Sequence, residues 1–76
     1  MFVKTLSGYW INFTMVSQVF VSEGTNGGCK VVAELGKNGT VKNWYAIHEE
    51  IGSEAKKRCQ AWLDSFMDSY NGGLYS

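Results

Sequence analysis

The sequence predicts a single small α+β domain, one antiparallel sheet of about four strands packed by one C-terminal amphipathic helix. Three observations predict it. Asn38-Gly39 lies between two runs rich in Val, Ala, Trp, Tyr and Ile, and this dipeptide suits type I′ hairpin turns because both central residues need positive φ. Between Glu54 and Tyr70, apolar residues recur every three or four positions, the period of a helix lying on a core. A chain of 76 residues, 45% hydrophobic and 18% charged, has room for one core only, so residues 1–76 form one domain.

Taken in order, Phe2 to Leu6 reads as a first strand, reversed at Ser7-Gly8 into Tyr9 to Phe13. A corner follows at Asn12-Phe13-Thr14-Met15, and Val16 to Ser22 is a β-rich strand bent or bulged near Ser17-Gln18. Gly24 to Gly28 is a glycine-rich loop whose residues adopt positive φ at little steric cost. Cys29 to Lys37 and Thr40 to Glu49 form the main hairpin. A two-residue loop there pairs Leu35 with Lys42, Ala33 with Trp44, Val31 with Ala46 and Cys29 with His48, and a four-residue loop leaves every face unchanged. One face then carries Cys29, Val31, Ala33, Leu35, Trp44 and Ala46 toward the helix. The other carries Val32, Val41, Tyr45 and Ile47 among Lys30, Glu34 and Asn43. The helix, entered at an N-cap Ser53 and closed by Gly72 or Gly73, covers the first face with Ala55, Cys59, Trp62, Phe66 and Tyr70, flanked by Leu63 and Met67.

Charge and composition exclude several function classes. Seven basic residues offset seven acidic ones, so no global field draws the protein to a polyanion or an anionic membrane, and an acidic DNA mimic is equally unsupported. No basic stretch precedes an apolar run of about 7–15 residues, and no segment approaches about 18 consecutive apolar residues. A cytoplasmic protein is expected, in which Asn12-Phe13-Thr14 and Asn38-Gly39-Thr40 are turn chemistry rather than glycosylation sites. Cys29 and Cys59 lack Cys-x-x-Cys spacing and read as buried thiols.

Candidate chemistry is thin. His48 is the only histidine, and the expected register sets it opposite Cys29, which allows a thiol–imidazole pair on paper. An enzyme would also need an oxyanion site and a cleft, which a compact sheet with one helix does not offer. Two such ligands do not make the usual three or four of a metal site. The glycine-rich loop precedes a strand, not a helix, and lacks the phosphate-loop lysine. No catalytic residue, metal or cofactor is expected.

The aromatic content is more informative: three Trp, four Tyr and four Phe, with Tyr9-Trp10 and Trp44-Tyr45 sending neighbouring rings to opposite faces. One helix covers one face. An apolar surface of Val32, Val41, Tyr45 and Ile47 is therefore expected either to bind a protein partner or to lie under the N-terminal hairpin or the tail. The helix adds a second candidate surface. Lys56, Lys57 and Arg58 stand in its first turns and Asp64 and Asp68 toward its end, the reverse of what the macrodipole favours. Either Glu49, Glu50 and Glu54 neutralise the basic cluster, or Lys56, Lys57, Gln60 and Asp64 form a charged recognition face.

Leu6-Ser7-Gly8-Tyr9-Trp10-Ile11-Asn12, followed by Val16, Val19 and the Asn38-Gly39 hairpin, resembles the strand-turn pattern of small FlbD-type flagellar regulators over about half the chain. The order of short hairpins, glycine-rich loop, second hairpin and helix is similar in layout and size to some phage-encoded anti-CRISPR proteins. The latter resemblance implies a small non-enzymatic inhibitor, from a phage or other mobile element evading host defence, that docks on a larger effector subunit. Neither resemblance carries functional residues over. The reading is a non-enzymatic protein-binding module, acting as a monomer or small homo-oligomer. The alternatives are a single-stranded nucleic-acid binder, stacking bases on the same rings beside Lys30 and Lys42, and a self-associating structural or regulatory subunit.

Overall fold

A computed structural model describes residues 1–24, 27–36 and 43–75. The chain is α+β, as expected, but its strands form two sheets instead of one. Strands β1 (Phe2–Lys4) and β2 (Trp10–Asn12) make a two-stranded hairpin, while β3 (Val16–Glu23), β4 (Cys29–Leu35) and β5 (Asn43–Glu50) make an antiparallel sheet in that order. Helix α1 (Ala55–Tyr75) follows.

The opening hairpin turns where Ser7-Gly8 predicts. Gly8 has φ +93°, its N–H donates to the Thr5 carbonyl at 3.0 Å, and Thr5 N–H donates to the Tyr9 carbonyl at 2.7 Å. Thr5 is buried because its hydroxyl also accepts from Tyr9 N–H. The hairpin cannot extend into the main sheet, because the corner after it redirects the chain. Asn12 caps a short 3-10 helix at Phe13–Met15, its Oδ1 accepting from both Thr14 N–H and Thr14 Oγ1. This asparagine turn supplies a local alternative to strand pairing. The hairpin instead crosses to the far edge of the sheet, where Leu6 N–H donates to the Ala46 carbonyl in β5 at 2.8 Å.

A register shift between Val16 and Gln18 puts a bulge at Ser17, where the sequence predicts one. A second irregularity, in β5, is not legible in the sequence. Val31 pairs with His48 but Val32 pairs with Ala46, which leaves Ile47 as the extra residue of a bulge.

The face assignment of β5 is the main correction. Ala33 pairs with Tyr45 and Glu34 with Trp44, one residue off the expected register. The turn-side pair, Leu35 with Asn43, encloses an odd number of residues, and an odd loop inverts the parity that two- and four-residue loops preserve. Tyr45 and Ile47 therefore turn toward the helix, and Ile47 is buried in the core. Trp44 points to the opposite face and is 64% exposed. Chemistry favours this choice. An indole N–H turned toward Val31 and Ala33 would meet apolar neighbours, whereas on the outer face it finds a carboxylate. The bulge at Ile47 then restores the original parity, so that His48 and Glu50 also face the helix. The expected Asn38-Gly39 turn and Val41 lie outside the described residues.

The core gathers Ile11 and Phe13 from the hairpin side, Cys29, Val31, Ala33 and Ile47 from the sheet, and Ala55, Cys59 and Leu63 from the helix. Trp62, Phe66, Met67 and Tyr70 complete the helical stripe as partly buried residues, as the periodicity predicts. Ala33, at 0% exposure, lets the helix approach the sheet. The hairpin and the helix thus share one face of the three-stranded sheet.

The helix ends differ from expectation. Ser53 does not cap through its side chain; its carbonyl accepts from the Arg58 guanidinium, as does that of Ile51. Glu54 takes the left-handed conformation, φ +60°, a cost of about 1–2 kcal/mol for a residue with a Cβ. Ala55 N–H closes the first turn on the Gly52 carbonyl. At the other end, α1 runs through Gly72 and Gly73 to Tyr75 instead of stopping near Tyr70.

Candidate protein-binding face

On β3 and β4, side chains alternate strictly between faces beyond the Ser17 bulge. Those directed away from the helix are Gln18 and Phe20 on β3 and Val32 and Glu34 on β4, with Trp44 and Ala46 beside them on β5. Phe20 and Val32 are half-buried and stand apart from the core cluster.

Glu34 organises this face. It is only 4% exposed, although its strand position points it outward, because polar neighbours close over it. One oxygen accepts from Gln18 Nε2 at 2.8 Å and from the Ser17 hydroxyl at 3.3 Å; the other accepts from Trp44 Nε1 at 2.8 Å. Ser17 also reaches the Glu34 carbonyl, so the bulge places its hydroxyl within range of both. The result is a tryptophan whose polar edge is fixed and whose ring stands in solvent. Such a side chain gives up little rotamer freedom when a partner covers it.

The hairpin presents an aromatic surface of its own. Phe2, Lys4, Trp10 and Asn12 share its outward side through the pairs Phe2–Asn12 and Lys4–Trp10. Phe2 and Trp10 are largely exposed, and the Lys4 ammonium lies 6.0 Å from the Trp10 ring centre.

The residues expected to bind a partner separate into several places. Val32 lies on the outer face. Tyr45 and Ile47 lie inward and serve packing. Lys56, Lys57, Gln60 and Asp64 are exposed on the helix, with Gln60 Nε2 donating to Asp64 Oδ1 at 3.0 Å. Because α1 packs on the inner side of the sheet, this charged face and the outer sheet face point in opposite directions. Lys56 pairs with Glu23 at 3.1 Å and Arg58 with Glu50 at 3.2 Å, which compensates much of the basic first turn. Sequence reasoning missed Trp44, Glu34 and Gln18 as a unit. The available signal was a lone glutamate inside Val31-Val32-Ala33-Glu34-Leu35, which needs donors if it is to be covered.

His48 is occupied structurally. Its Nε2–H donates to Glu50 Oε2 at 2.6 Å, and its ring stacks on Trp62, 4.3 Å between centres and 3° from parallel. Trp62 stacks in turn on Phe66. Cys29 pairs with Glu50 and not with His48, so the register-based thiol–imidazole pair does not form. Cys59 donates its S–H to the Cys29 carbonyl, and burial pushes its thiol up, away from the thiolate form. Among the described residues no three His, Cys, Asp or Glu side chains are placed to hold a metal. Glu23, Glu54 and Lys56 line the cleft beside the glycine-rich loop, and with Lys56 paired to Glu23 the lining offers a phosphate no free cation among the described residues.

The hydrogen bond from His48 and then that from Arg58 hold the Glu50 carboxyl below its ordinary value of 4.5. A depressed folded-state value contributes stability that is fully present above the unfolded value and lost as pH falls through the folded one. Unfolding free energy should therefore decline as pH is lowered below about 4.5, and Glu50→Gln should flatten that part of the profile. Urea titrations across the acid range check this, and an unchanged slope in the variant would assign the decline to other carboxylates.

Against this geometry stand the comparisons with known proteins. No family model, characterised protein or solved structure matches the chain. Among the described residues no helix is long and apolar enough to cross a membrane.

Proposed function

We propose that this chain is a non-enzymatic protein-binding module that docks on a larger protein through the outer face of its three-stranded sheet, with Trp44 as the anchor. The observation that carries the reading is an indole 64% exposed whose N–H is fixed on a buried carboxylate. Satisfying the buried Glu34 carboxylate accounts for the N–H contact but gives no reason to leave the ring in solvent. Interfaces are enriched in tryptophan anchors surrounded by groups that exclude water, and Val32, Phe20 and Gln18 supply such surroundings. The engagement of His48 and the burial of both thiols support a binding role over catalysis. The similarity in layout to phage-encoded inhibitors, read from the sequence alone, favours a regulator that occludes a site on a host complex in the cytoplasm. The charged helix face, led by Lys57, is a second surface for the same partner only if that partner wraps the molecule.

The test is capture of a stoichiometric partner from lysate by the immobilised chain. Trp44→Ala should weaken capture by about 2 kcal/mol or more, roughly thirty-fold in Kd, while thermal unfolding stays cooperative. Capture that survives this substitution would place the site elsewhere. Salt-dependent retention on single-stranded oligonucleotides, lost in Trp44→Ala, would instead make the face a base-stacking platform.

A further inference from the structure

We infer that β3 is a self-pairing edge, through which two copies of this chain join their three-stranded sheets into one continuous antiparallel sheet. The inference concerns the backbone edge of the sheet; it shares Phe20 with the docking face but does not need Trp44 to bind anything.

The two edges of the sheet are treated differently. On β5 the Ala46 carbonyl is taken by Leu6 N–H. On β3, among the described residues, no hydrogen bond from outside the sheet reaches the strand's open side. Which groups point that way follows from the ladder. Gly24 N–H donates to the Gly28 carbonyl at 2.7 Å, which makes that pair a hydrogen-bonded one. Alternation along the register then puts Ser22–Lys30 and Phe20–Val32 in hydrogen-bonded pairs. The N–H and C=O of Val19, Val21 and Glu23 are left facing outward.

Edges that must remain single are usually blunted by lysine, proline or an inward charge. Between Val16 and Ser22 this strand has no charged residue and no proline. Its protective features, the bulge at Ser17 and Glu23 on the helix-facing side, sit at the two ends and leave Gln18 to Ser22 regular and uncharged.

The strand is also complementary to itself. In a two-fold antiparallel pairing centred on Phe20, Val19 meets the partner's Val21 and Val21 the partner's Val19, so that the four outward groups of Val19 and Val21 on each strand are satisfied. Phe20 faces the partner's Phe20 in a close, non-hydrogen-bonded position, where aromatic pairs stabilise most. Gln18 meets the partner's Ser22, and Glu23 falls opposite Ser17. No like charges oppose each other. Centring on Val21 would instead set Glu23 against Val19, and centring on Val19 would use the bulged Ser17. A cleft of about 290 Å³ lies where the first half of β3 meets the helix, lined in part by Val19, Leu63 and Met67. An added strand brings the partner's Val21 to its border. Such an isologous contact closes after two copies and keeps both Trp44 side chains on one side of the joined sheet.

Light scattering after size exclusion tests this. The wild-type chain should run at twice its 8.5 kDa mass at high micromolar concentration. Phe20→Lys and Phe20→Glu, each setting like charges face to face on the outer side, should each halve that mass, and an equimolar mixture of the two should restore it. A wild-type protein that stays at 8.5 kDa overturns the inference, and so do variants that remain dimeric. If the variants fail to fold, amide exchange on the wild type decides the matter. Val19 and Val21 should be protected when concentrated and exchange faster on dilution, whereas rates independent of concentration count against β3 pairing.

Discussion

Phe13→Ala should lower the unfolding free energy by about 3–5 kcal/mol, the range for emptying a buried aromatic site, against a total of about 5–15 kcal/mol for a native domain. Phe13 is 4% exposed and sits in the corner between the two sheets. Its ring meets Phe66 edge-on at 5.2 Å and Tyr70 at 5.0 Å. It therefore joins the hairpin and the helix, which have no backbone ladder between them. The corner around it is held locally by Asn12 and cannot easily collapse into the void. Urea unfolding should show an earlier midpoint, and the hairpin amides should lose protection together with those of the last helical turns. A cost below about 1 kcal/mol, the level of small surface effects, would mean that the hairpin is not part of the cooperative core.

Glu34→Ala should cost about 1–3 kcal/mol, the penalty for leaving partly buried donors without their acceptor, and should release Trp44. The carboxylate holds Gln18, Ser17 and Trp44 from both of its oxygens, so its removal loosens three side chains together. Indole fluorescence anisotropy should fall while the sheet persists in circular dichroism. Trp44→Phe, which lacks the indole N–H but leaves the carboxylate with its other donors, should cost less than Glu34→Ala. Equal costs would mean that the Trp44–Glu34 bond dominates the cluster.

How much of this was legible in the sequence depends on the residues concerned. The helical stripe from Ala55 to Tyr70 was readable because period alone places those side chains. The turn at Gly8, the corner at Asn12 and the bulge near Ser17 were readable because local turn chemistry marks them. The faces of β4 were also readable, since Cys29, Val31 and Ala33 are small or apolar and alternate cleanly. The faces of β5 were not. Trp44 and Tyr45 are both large and aromatic, so composition does not say which is inside, and the choice passes to loop parity. Once the loop is odd, Tyr45 and Ile47 enter the core and Trp44 leaves it. The bulge at Ile47 hides this further, because it lets adjacent Ile47 and His48 face the same way. The split into two sheets depends on the angle at which Phe13 redirects the chain, which no periodicity encodes. The helix continues through Gly72 and Gly73 because glycine tolerates a left-handed cap but does not impose one.

Of the surface expected from the sequence, Val32 does lie on the outer face, whereas Tyr45 and Ile47 turn toward the core. An exposed patch built on Tyr45 and Ile47 would have been a patch of core residues, and a variant at either would lose binding by unfolding. Trp44 on the same strand separates these effects, since its ring stands clear of the core.

The three tryptophans divide the surface into independent reporters. Trp10 marks the outward side of the hairpin, Trp44 the outer sheet face, and Trp62 the inner face against His48. Titrating a captured partner into isotope-labelled protein and following the three indole N–H resonances tests the docking claim most directly. The Trp44 resonance should shift or broaden with saturation while that of Trp62 stays in place. A partner that binds with the Trp44 signal unmoved contradicts the account.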